Sequence, residues 1–258
     1  MNRISPRRQL ATDTDNFLMT ECIQSLWIGR KLSVMEQLSI ASFLIQGHAY
    51  HLYVYDEVEN APKGAVLKAA NEVLPDSMIF RYTKYPSHAG FSNFFRYKLL
   101  LEKGGWWVDT DVVCLKPFLF EEPYVFASER ADGCEVPTTA VIKAPPASEI
   151  MAFNWQVCSS CADPSGAVWG EHGPKLMAKA ITKFKLQPFI KSAPVFCPLA
   201  YDEWEALLLP GDLARFGQNS HALHLWNEMW RRSDRDKEAS YAADCLYERL
   251  KATFLLRC

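Results

Sequence analysis

The sequence predicts a single α/β domain in which helices flank a mostly parallel sheet. Over the first hundred residues, short apolar segments alternate with helical ones, the order expected of a parallel sheet with crossover connections. The 258 residues, 49% hydrophobic and 22% charged, suffice for one large core of ordinary composition. We therefore predict one domain over residues 20–258. The polar residues 1–19 are predicted to form a flexible N-terminal arm.

The first four elements follow from the spacing of apolar residues and from the positions of capping residues, glycine and proline. Residues 22–28 are apolar and predict a strand. Helical spacing follows from Ser33, a suitable N-cap, and stops at Gly47. Residues 51–55 predict a second strand. Residues 62–74, with a proline at each end, predict a second helix.

The next elements lead to the most informative stretch of the chain. Residues 80–90 form a polar connection, after which Ser92 is a good N-cap for a helix that ends at Gly104-Gly105. A strand over residues 106–115 follows directly and carries two acids. A helix that passes through a tight turn into a strand places those acids at the strand's carboxyl end. Open α/β sheets bind their ligands at that end.

The rest of the chain predicts shorter elements. The predicted strands cover residues 124–128, 139–143, 193–196 and 221–226, and the predicted helices cover residues 148–161, 174–184, 202–209 and 236–254. In the strand over residues 221–226, His224 and Trp226 share a face because side chains alternate along a strand.

Asp109 and Asp111 lie inside an otherwise apolar run, so their burial needs a compensating charge. On one strand they point the same way, about 7 Å apart, and two such carboxylates suit a hard divalent cation with a phosphate. Two structural interpretations stay open. The tripeptide could be a solvated turn, or Arg96 on the preceding helix could pair with the acids in a purely structural ion cluster.

Composition limits the partners. A net charge of −2 provides no general attraction for nucleic acid or anionic lipid, so a phosphate must be held by a local site. The start of the sequence lacks the apolar core of a signal peptide, and we expect a cytoplasmic protein with reduced thiols. Cys158 and Cys161 could form a redox or half-zinc motif, but no second pair completes it.

Four motifs resemble one group of enzymes. Residues 91–111 combine Asn93 and Arg96, a helix, a Gly-Gly break, an aromatic strand and the Asp pair. This pattern resembles the Asp-x-Asp sugar-binding region of retaining glycosyltransferases of the GT-A type. Residues 26–29 resemble the opening strand of family 32 glycosyltransferases and of the glucosylating clostridial toxins. Residues 169–174 and 222–227 resemble two later motifs of the α-1,4-glycosyltransferases.

The resemblance implies a GT-A, Rossmann-like fold and a role for each matching residue. Asp111, with His224 and Asp109, would bind Mn²⁺ or Mg²⁺. Trp27 would stack on the nucleotide base. The implied catalytic set is Asp109, Asp111 and Arg96, and the implied donor-binding set is Trp27, Ser92, Asn93, Arg96, Asp109, Gly173 and Asn227.

The resemblance also implies partners. The donor would be a nucleotide-sugar, with uridine diphosphate as the expected carrier, and the acceptor a glycan or lipid-linked sugar. We expect transfer with retention of configuration in bacterial surface polysaccharide synthesis, with peripheral contact at the inner face of the membrane and no role for nucleic acid. Two positions depart from the family. Asn93 stands where an Asp is usual, and His172 stands where relatives have Gln or Thr, which bears on donor choice.

Two other functions remain open from the sequence. Residues 107–112 match the Asp-x-Asp context of phosphatases whose first Asp is the nucleophile, although the late acidic motif is incomplete because Phe216 follows Gly211-Asp212 at the required spacing. The second alternative is a catalytically silent module that binds a nucleotide or glycan, which the Asn93 substitution permits.

Overall fold

A computed structural model describes residues 21–255, so the predicted arm over residues 1–19 lies outside the described residues. The main sheet has six strands in the order β3-β2-β1-β4-β7-β6. The strands are β1 (Ile23–Trp27), β2 (Tyr50–Val54), β3 (Ala65–Ala69), β4 (Gly105–Val108), β6 (Val125–Ala131) and β7 (Cys134–Ala144). Strands β1 to β4 run parallel, and β7 and β6 complete the sheet with antiparallel pairings. The predicted α/β class with a mostly parallel sheet is confirmed.

A second, two-stranded sheet pairs β5 (Val112–Cys114) antiparallel with β8 (Ala222–His224). The helices are α1 (Val34–Ile45), α2 (Ala89–Lys103), α3 (Glu149–Ser159), α4 (Leu176–Lys183), α5 (Ala193–Phe196), α6 (Asn227–Arg232) and α7 (Leu246–Phe254). None of the described helices has the length and apolar character needed to cross a bilayer.

Both faces of the main sheet are covered, because its side chains alternate between two apolar clusters. In β4, Trp106 and Val108 pack into one cluster with α1, α7 and the small sheet. Trp107, between them, packs into the other cluster with α2, α3 and α4. This alternation follows from the strand geometry, and cover on both faces is typical of parallel sheets.

The first helix forms as the sequence predicts. Ser33 is the N-cap of α1: its hydroxyl accepts from the Met35 N–H at 3.2 Å, and Glu36 Oε2 accepts from the Ser33 N–H at 2.7 Å. This reciprocal capping box satisfies two of the helix's free donors. Glu36 is almost fully buried and also pairs with Lys237, far along the chain.

The predicted helix over residues 62–74 is wrong, because residues 65–69 form edge strand β3, parallel to β2. Gly64 enters the strand at a φ of +103°, which breaks the helical path. Val66 and Leu67, which the helical pattern would bury, are 45% and 38% exposed. Pairing with β2 therefore prevails over the local helical pattern.

Two later predictions are also wrong. Residues 193–196 form the short helix α5 instead of a strand, and Pro194 in its first turn suits a helix start. The last helix begins at Leu246 instead of residue 236, because Cys245 caps it and the preceding residues form turns.

The predicted start of α2 and the predicted single strand through the acids both need correction. Helix α2 begins at Ala89, so Ser92 lies inside its first turn and is not its N-cap. Strand β4 ends at Val108, the acids occupy a turn closed by the Val112 N–H to Asp109 carbonyl bond at 3.1 Å, and β5 then joins the second sheet. The chain leaves the main sheet at the acids because β5 pairs with β8 instead of extending β4.

Gly104 sets the turn between α2 and β4. Its φ of +63° and ψ of −162° lie in a region open essentially to glycine alone. A Cβ here would lie 2.5 Å from the backbone nitrogen of Pro146.

We therefore expect Gly104→Ala to lower the free energy of unfolding by at least about 3 kcal/mol, from backbone strain plus the clash. Urea unfolding followed by circular dichroism measures this. The matched control is Gly133→Ala at a hairpin tip, where φ is +77° but nothing lies within 4 Å of the new Cβ, with an expected cost of about 1 kcal/mol. Equal losses in the two variants would contradict the assigned packing of Gly104.

Candidate functional site

A cleft of about 610 Å³ opens at the carboxyl ends of β1 and β4. Eight of the nine predicted site residues line it: Trp27, Ser92, Asn93, Arg96, Asp109, Asp111, His224 and Asn227. The ninth, Gly173, lies outside the lining. A Cβ on Gly173 would meet Asn93 Nδ2 at 2.9 Å, so the missing side chain lets this loop pack against Asn93.

Asp111 and His224 form one pair at the floor of the cleft. His224 Nε2 lies 3.2 Å from Asp111 Oδ2, and the Asn227 N–H donates to the same oxygen at 2.9 Å. The two-stranded sheet fixes this contact, because Val112 opposes His224 and the Leu225 N–H donates to the Asp111 carbonyl at 2.8 Å. Residues more than a hundred positions apart are thus aligned by backbone pairing.

The pair carries opposite charges. Burial raises the pKa of Asp111, but the charge and hydrogen bond of His224, together with the Asn227 N–H, outweigh it and hold the pKa below its usual value. Burial lowers the pKa of His224, but the Asp111 carboxylate outweighs burial and raises that pKa well above its usual value. A metal ion that bound His224 as a ligand would displace the proton from its imidazole ring.

Asp109 is held differently, by Arg96 and Trp107. Its Oδ1 accepts from Trp107 Nε1 at 2.9 Å and lies 3.1 Å from Arg96 Nη1. Burial raises the pKa of Asp109, and Arg96 opposes that rise only in part. The structural ion cluster considered from the sequence therefore exists for Asp109, whereas Asp111 pairs with His224.

Arg96 is buried and mostly occupied by protein contacts. Its Nε donates to the Ser92 carbonyl at 3.1 Å, Nη2 donates to Ser92 Oγ at 2.9 Å, and Nη1 donates to the Thr139 carbonyl as well as facing Asp109. Since a guanidinium has five N–H groups, these four contacts leave one N–H for a ligand, as far as the described residues go. Ser92 thus orients Arg96.

Asp109, Asp111 and His224 could hold a cation, because one ligand atom from each lies within 4.8 Å of the others. The protein contacts above engage Oδ1 of Asp109 and Oδ2 of Asp111. Within residues 21–255, the second oxygen of each carboxylate is left for a ligand. Two carboxylates and an imidazole are a donor set that manganese accepts, so these residues fit the predicted ion.

Trp27 forms one wall of the cleft and is half-buried. Its Nε1 is buried and has no hydrogen-bond partner among the described residues. Lys237 Nζ lies 6.0 Å from the ring centre and donates to Asn227 Oδ1 at 2.9 Å. The side chain of Asn227 therefore links this wall to the floor, where its N–H binds Asp111.

Several cleft residues were not predicted as site residues. The additional polar and aromatic lining includes Tyr82, Glu129, Thr138, Thr139, Trp169, Arg231 and Arg232. Glu129 was missed because β6 extends beyond the predicted strand end, to Ala131. Burial raises the pKa of this carboxyl. The available sequence signal was the position of this acid, which continues the alternation of the apolar strand just beyond its predicted end.

The remaining motif residues lie elsewhere. His172 is buried against Phe94, with ring centres 5.4 Å apart, and is not part of the cleft lining. Burial lowers its pKa. Cys158 is fully buried in the core and Cys161 is half-buried, and both are free thiols.

Residues 33–130 match the family described as "Glycosyltransferase sugar-binding region containing DXD motif". This span contains the Asp109-Thr110-Asp111 turn and the α2 residues that face it. The match covers less than half of the chain, and it is a similarity to this glycosyltransferase region. Retention of configuration, the ion and the donor are finer properties, which this match leaves as proposals.

A human protein named alpha-1,4-N-acetylglucosaminyltransferase is 26% identical over 152 residues. The match covers 54% of this chain but only 42% of that enzyme, so the chain spans less than half of its length. The activity and substrates of the whole enzyme are therefore not transferred.

Two solved structures give partial matches to the chain. PaToxG glycosyltransferase is 16% identical with a TM-score of 0.49, over 66% of this chain and 70% of that one. The ligand-free glycosyltransferase domain of the YGT toxin is 8% identical with a TM-score of 0.47, over 84% and 86%. Both scores are below 0.5, so no substrate is carried over from either.

The Arg96–Asp109 pair can be tested by removing only its positively charged member, the Arg96 guanidinium. We expect Arg96→Met to lower the free energy of unfolding at pH 7 by about 2 to 3 kcal/mol, below the range for fully buried pairs because Asp109 is 26% exposed in the cleft. Without the guanidinium the native state binds a proton at Asp109 more readily than the unfolded chain. The loss in the free energy of unfolding should therefore be full above the raised pKa of Asp109, and it should shrink as the pH falls through that pKa.

Urea unfolding across pH 4 to 8 measures this, and Asp109→Asn in the same chain should restore most of the loss. Lys98→Met, on the same helix, where Lys98 pairs with Glu102 near the surface and its Nζ lies over the Trp155 ring, is the control and should cost less than about 0.5 kcal/mol. Failure of Asp109→Asn to rescue Arg96→Met would show that the pair is not what destabilises the variant.

Proposed function

We propose that the chain transfers a sugar from a uridine diphosphate-sugar to a hydroxyl group of a glycan or lipid-linked acceptor, with a divalent cation bound. The observation that carries the proposal is the DXD turn of a glycosyltransferase sugar-binding region, completed by His224 in one cleft. The sequence motif provides two carboxylates. The fold adds an imidazole from the far end of the chain and an aromatic wall.

The donor would extend along the cleft from Trp27 to Asn93. Trp27 offers a large aromatic face to the base, a contact that any planar ring can use. Asp111 and His224 would hold the ion that binds the diphosphate, with Asp109 as the third ligand. Asn93 is buried beside this floor, and its amide can hydrogen-bond a hydroxyl of the sugar.

Charge at the leaving group is the main chemical demand. In the transfer, a bond would form between the acceptor oxygen and the anomeric carbon, the bond from that carbon to the β-phosphate oxygen would break and leave negative charge on the diphosphate, and the proton of the acceptor hydroxyl would pass to the departing phosphate oxygen. A bound divalent ion acts as a Lewis acid that stabilises this charge. The remaining N–H of Arg96 can donate to the same region, and Ser92 and Thr139 hold it in place without reorganisation.

The remaining features of the proposal are retention of configuration, manganese or magnesium as the ion, and a place in bacterial surface polysaccharide synthesis at the inner face of the membrane. The resemblance of the sequence motifs supports retention and the ion. Transfer through an ion-pair-like transition state, with the acceptor on the same face as the departing diphosphate, requires no strong nucleophile from the protein. Proton NMR of the first product formed distinguishes retention from inversion.

The phosphatase alternative finds less support in the geometry. The nucleophile would be Asp109, whose Oδ1 is engaged by Arg96 and Trp107 while Oδ2 is left for a ligand, so the late acidic motif decides between the two functions. Asp212, the nearest match to the late motif, caps a short helical turn through the Ala214 N–H at 3.0 Å and does not line the cleft. Slow hydrolysis of the donor without acceptor would exclude a catalytically silent binding module.

Donor binding tests the proposal directly. We expect manganese with uridine diphosphate to raise the melting temperature of the protein, and Asp111→Asn to abolish the rise because the ion loses a charged ligand. The measurement is a thermal shift with ion and nucleotide added separately and together. Asp212→Asn, which removes an exposed acid outside the cleft, is the control and should respond like the unmodified protein.

A panel that includes guanosine diphosphate tests the base, and hydrolysis of the uridine diphosphate-sugar tests for activity. The absence of any nucleotide response with metal would refute the transferase proposal. Rapid hydrolysis of a generic phosphate ester that is lost in Asp109→Asn would favour the phosphatase instead.

A further inference from the structure

An aromatic and charged cluster stands in the cleft beyond the donor residues. It consists of Tyr82, Trp169, Arg231 and Arg232, which line the cleft, and Tyr85, which contacts Trp169 from outside the lining; we call it the Trp169 platform. The Trp169 ring lies 5.3 Å from Tyr82 and 5.6 Å from Tyr85, centre to centre. The Arg232 guanidinium lies 5.1 Å from the Trp169 ring and 5.4 Å from the Tyr85 ring. None of these side chains is among those that we assign to the donor.

The platform is held by the fold on its inner side. Tyr82 is buried against Phe80 and Gly90, where a Cβ would come within 2.8 Å of the Tyr82 ring. The Thr83 N–H donates to the Ser165 carbonyl at 2.9 Å and ties together the two loops that carry these aromatics. The Trp169 ring is therefore preorganised, and the residue as a whole is half-exposed and lines the cleft.

Polar groups surround the aromatic face. Glu228 Oε1 accepts from Arg231 Nη2 at 2.6 Å and from Arg232 Nε at 2.8 Å, so the three side chains form a network with one net positive charge. A pyranose ring presents a face of C–H bonds, which suits an aromatic ring, and a rim of hydroxyl groups, which suits planar donors and acceptors. The platform offers both parts, with the guanidinium groups as donors and the carboxylate as an acceptor.

The platform also adjoins the residues that we assign to the donor sugar and to the ion. Gly170, next to Trp169, lines the cleft, and Gly173 in the same loop packs on Asn93, the residue proposed to contact the transferred sugar. Asn227, the first residue of α6, binds Asp111, whereas Arg231 and Arg232 end that helix. The platform therefore borders both the sugar end and the ion end of the donor site.

We propose that the Trp169 platform is the acceptor subsite, where a pyranose residue of the acceptor glycan stacks on Trp169 and hydrogen-bonds to Arg231, Arg232 and Glu228. This inference rests on the proposed function and adds the position and chemistry of the second substrate. A nucleotide base is the competing occupant of an aromatic ring in this cleft. Trp27 is the residue to which we assign the base.

Saturation-transfer NMR with simple sugars tests the subsite. The probes are methyl α-galactopyranoside, methyl β-galactopyranoside, methyl β-N-acetylglucosaminide and lactose, each added to the protein with uridine diphosphate and Mg²⁺. We expect saturation transfer to the ring protons of at least one probe and at least tenfold weaker binding in Trp169→Ala. Trp169→Phe, which keeps a flat ring, should retain most of the binding.

Trp155→Ala is the matched control, because Trp155 is a half-buried tryptophan of α3 beside Lys98 and outside the cleft. The thermal shift with uridine diphosphate and Mg²⁺, measured on every variant, should be the same as in the unmodified protein. Loss of that shift in Trp169→Ala would assign Trp169 to the donor and overturn the proposal. No saturation transfer from the unmodified protein to any probe, or binding that survives Trp169→Ala, would also overturn it.

The two proposals fail in different measurements. If the unmodified protein gives no thermal shift with nucleotide and metal, the proposed function is refuted whatever the sugars do. If the thermal shift is present and depends on Asp111, but binding of the sugar probes does not depend on Trp169, only the acceptor subsite is refuted.

Discussion

The contact between Asp111 and His224 is the interaction on which the rest of the cleft depends. Neither residue is placed by its neighbours in sequence. The register of β5 against β8 brings them together, and the backbone bond from Leu225 to Asp111 fixes that register. Because the two-stranded sheet packs into the same core as α1 and α7, the position of the ligand atoms is linked to the stability of the whole domain. The second acid, Asp109, is held instead by helix α2, where Arg96 pairs with Asp109 and Ser92 orients Arg96. The site is thus assembled where two independently supported elements meet.

Charge explains why two acids are tolerated at this point. Each carboxylate has one cationic partner and at least one N–H donor, so neither is buried without compensation. The second oxygen of each remains for a ligand, and the histidine is the group that must lose a proton when an ion binds. Protein contacts that look purely structural also keep the ligand atoms in place, which is the preorganisation that electrostatic stabilisation of a leaving group requires.

The sequence was sufficient to predict the parallel sheet, the capped first helix and the cleft at the strand ends, because each follows from local periodicity and capping. Its errors have local physical causes. Residues 62–74 carry a helical pattern, but pairing with β2 decides their conformation. Ser92 is a good N-cap residue, yet in the structure its hydroxyl serves Arg96. The acids were placed on one strand, whereas a turn brings them together. Trp169 and Arg232 could not be paired in advance, since they meet only through the loops between α3 and α4 and at the end of α6.

Anomalous diffraction from crystals grown with manganese and uridine diphosphate tests the central claim most directly. The account predicts one strong manganese peak in the cleft, within coordination distance of Asp111, His224 and the diphosphate, with the base against Trp27. A peak bound by neither Asp111 nor His224, or nucleotide density without any manganese peak beside its phosphates, would contradict it.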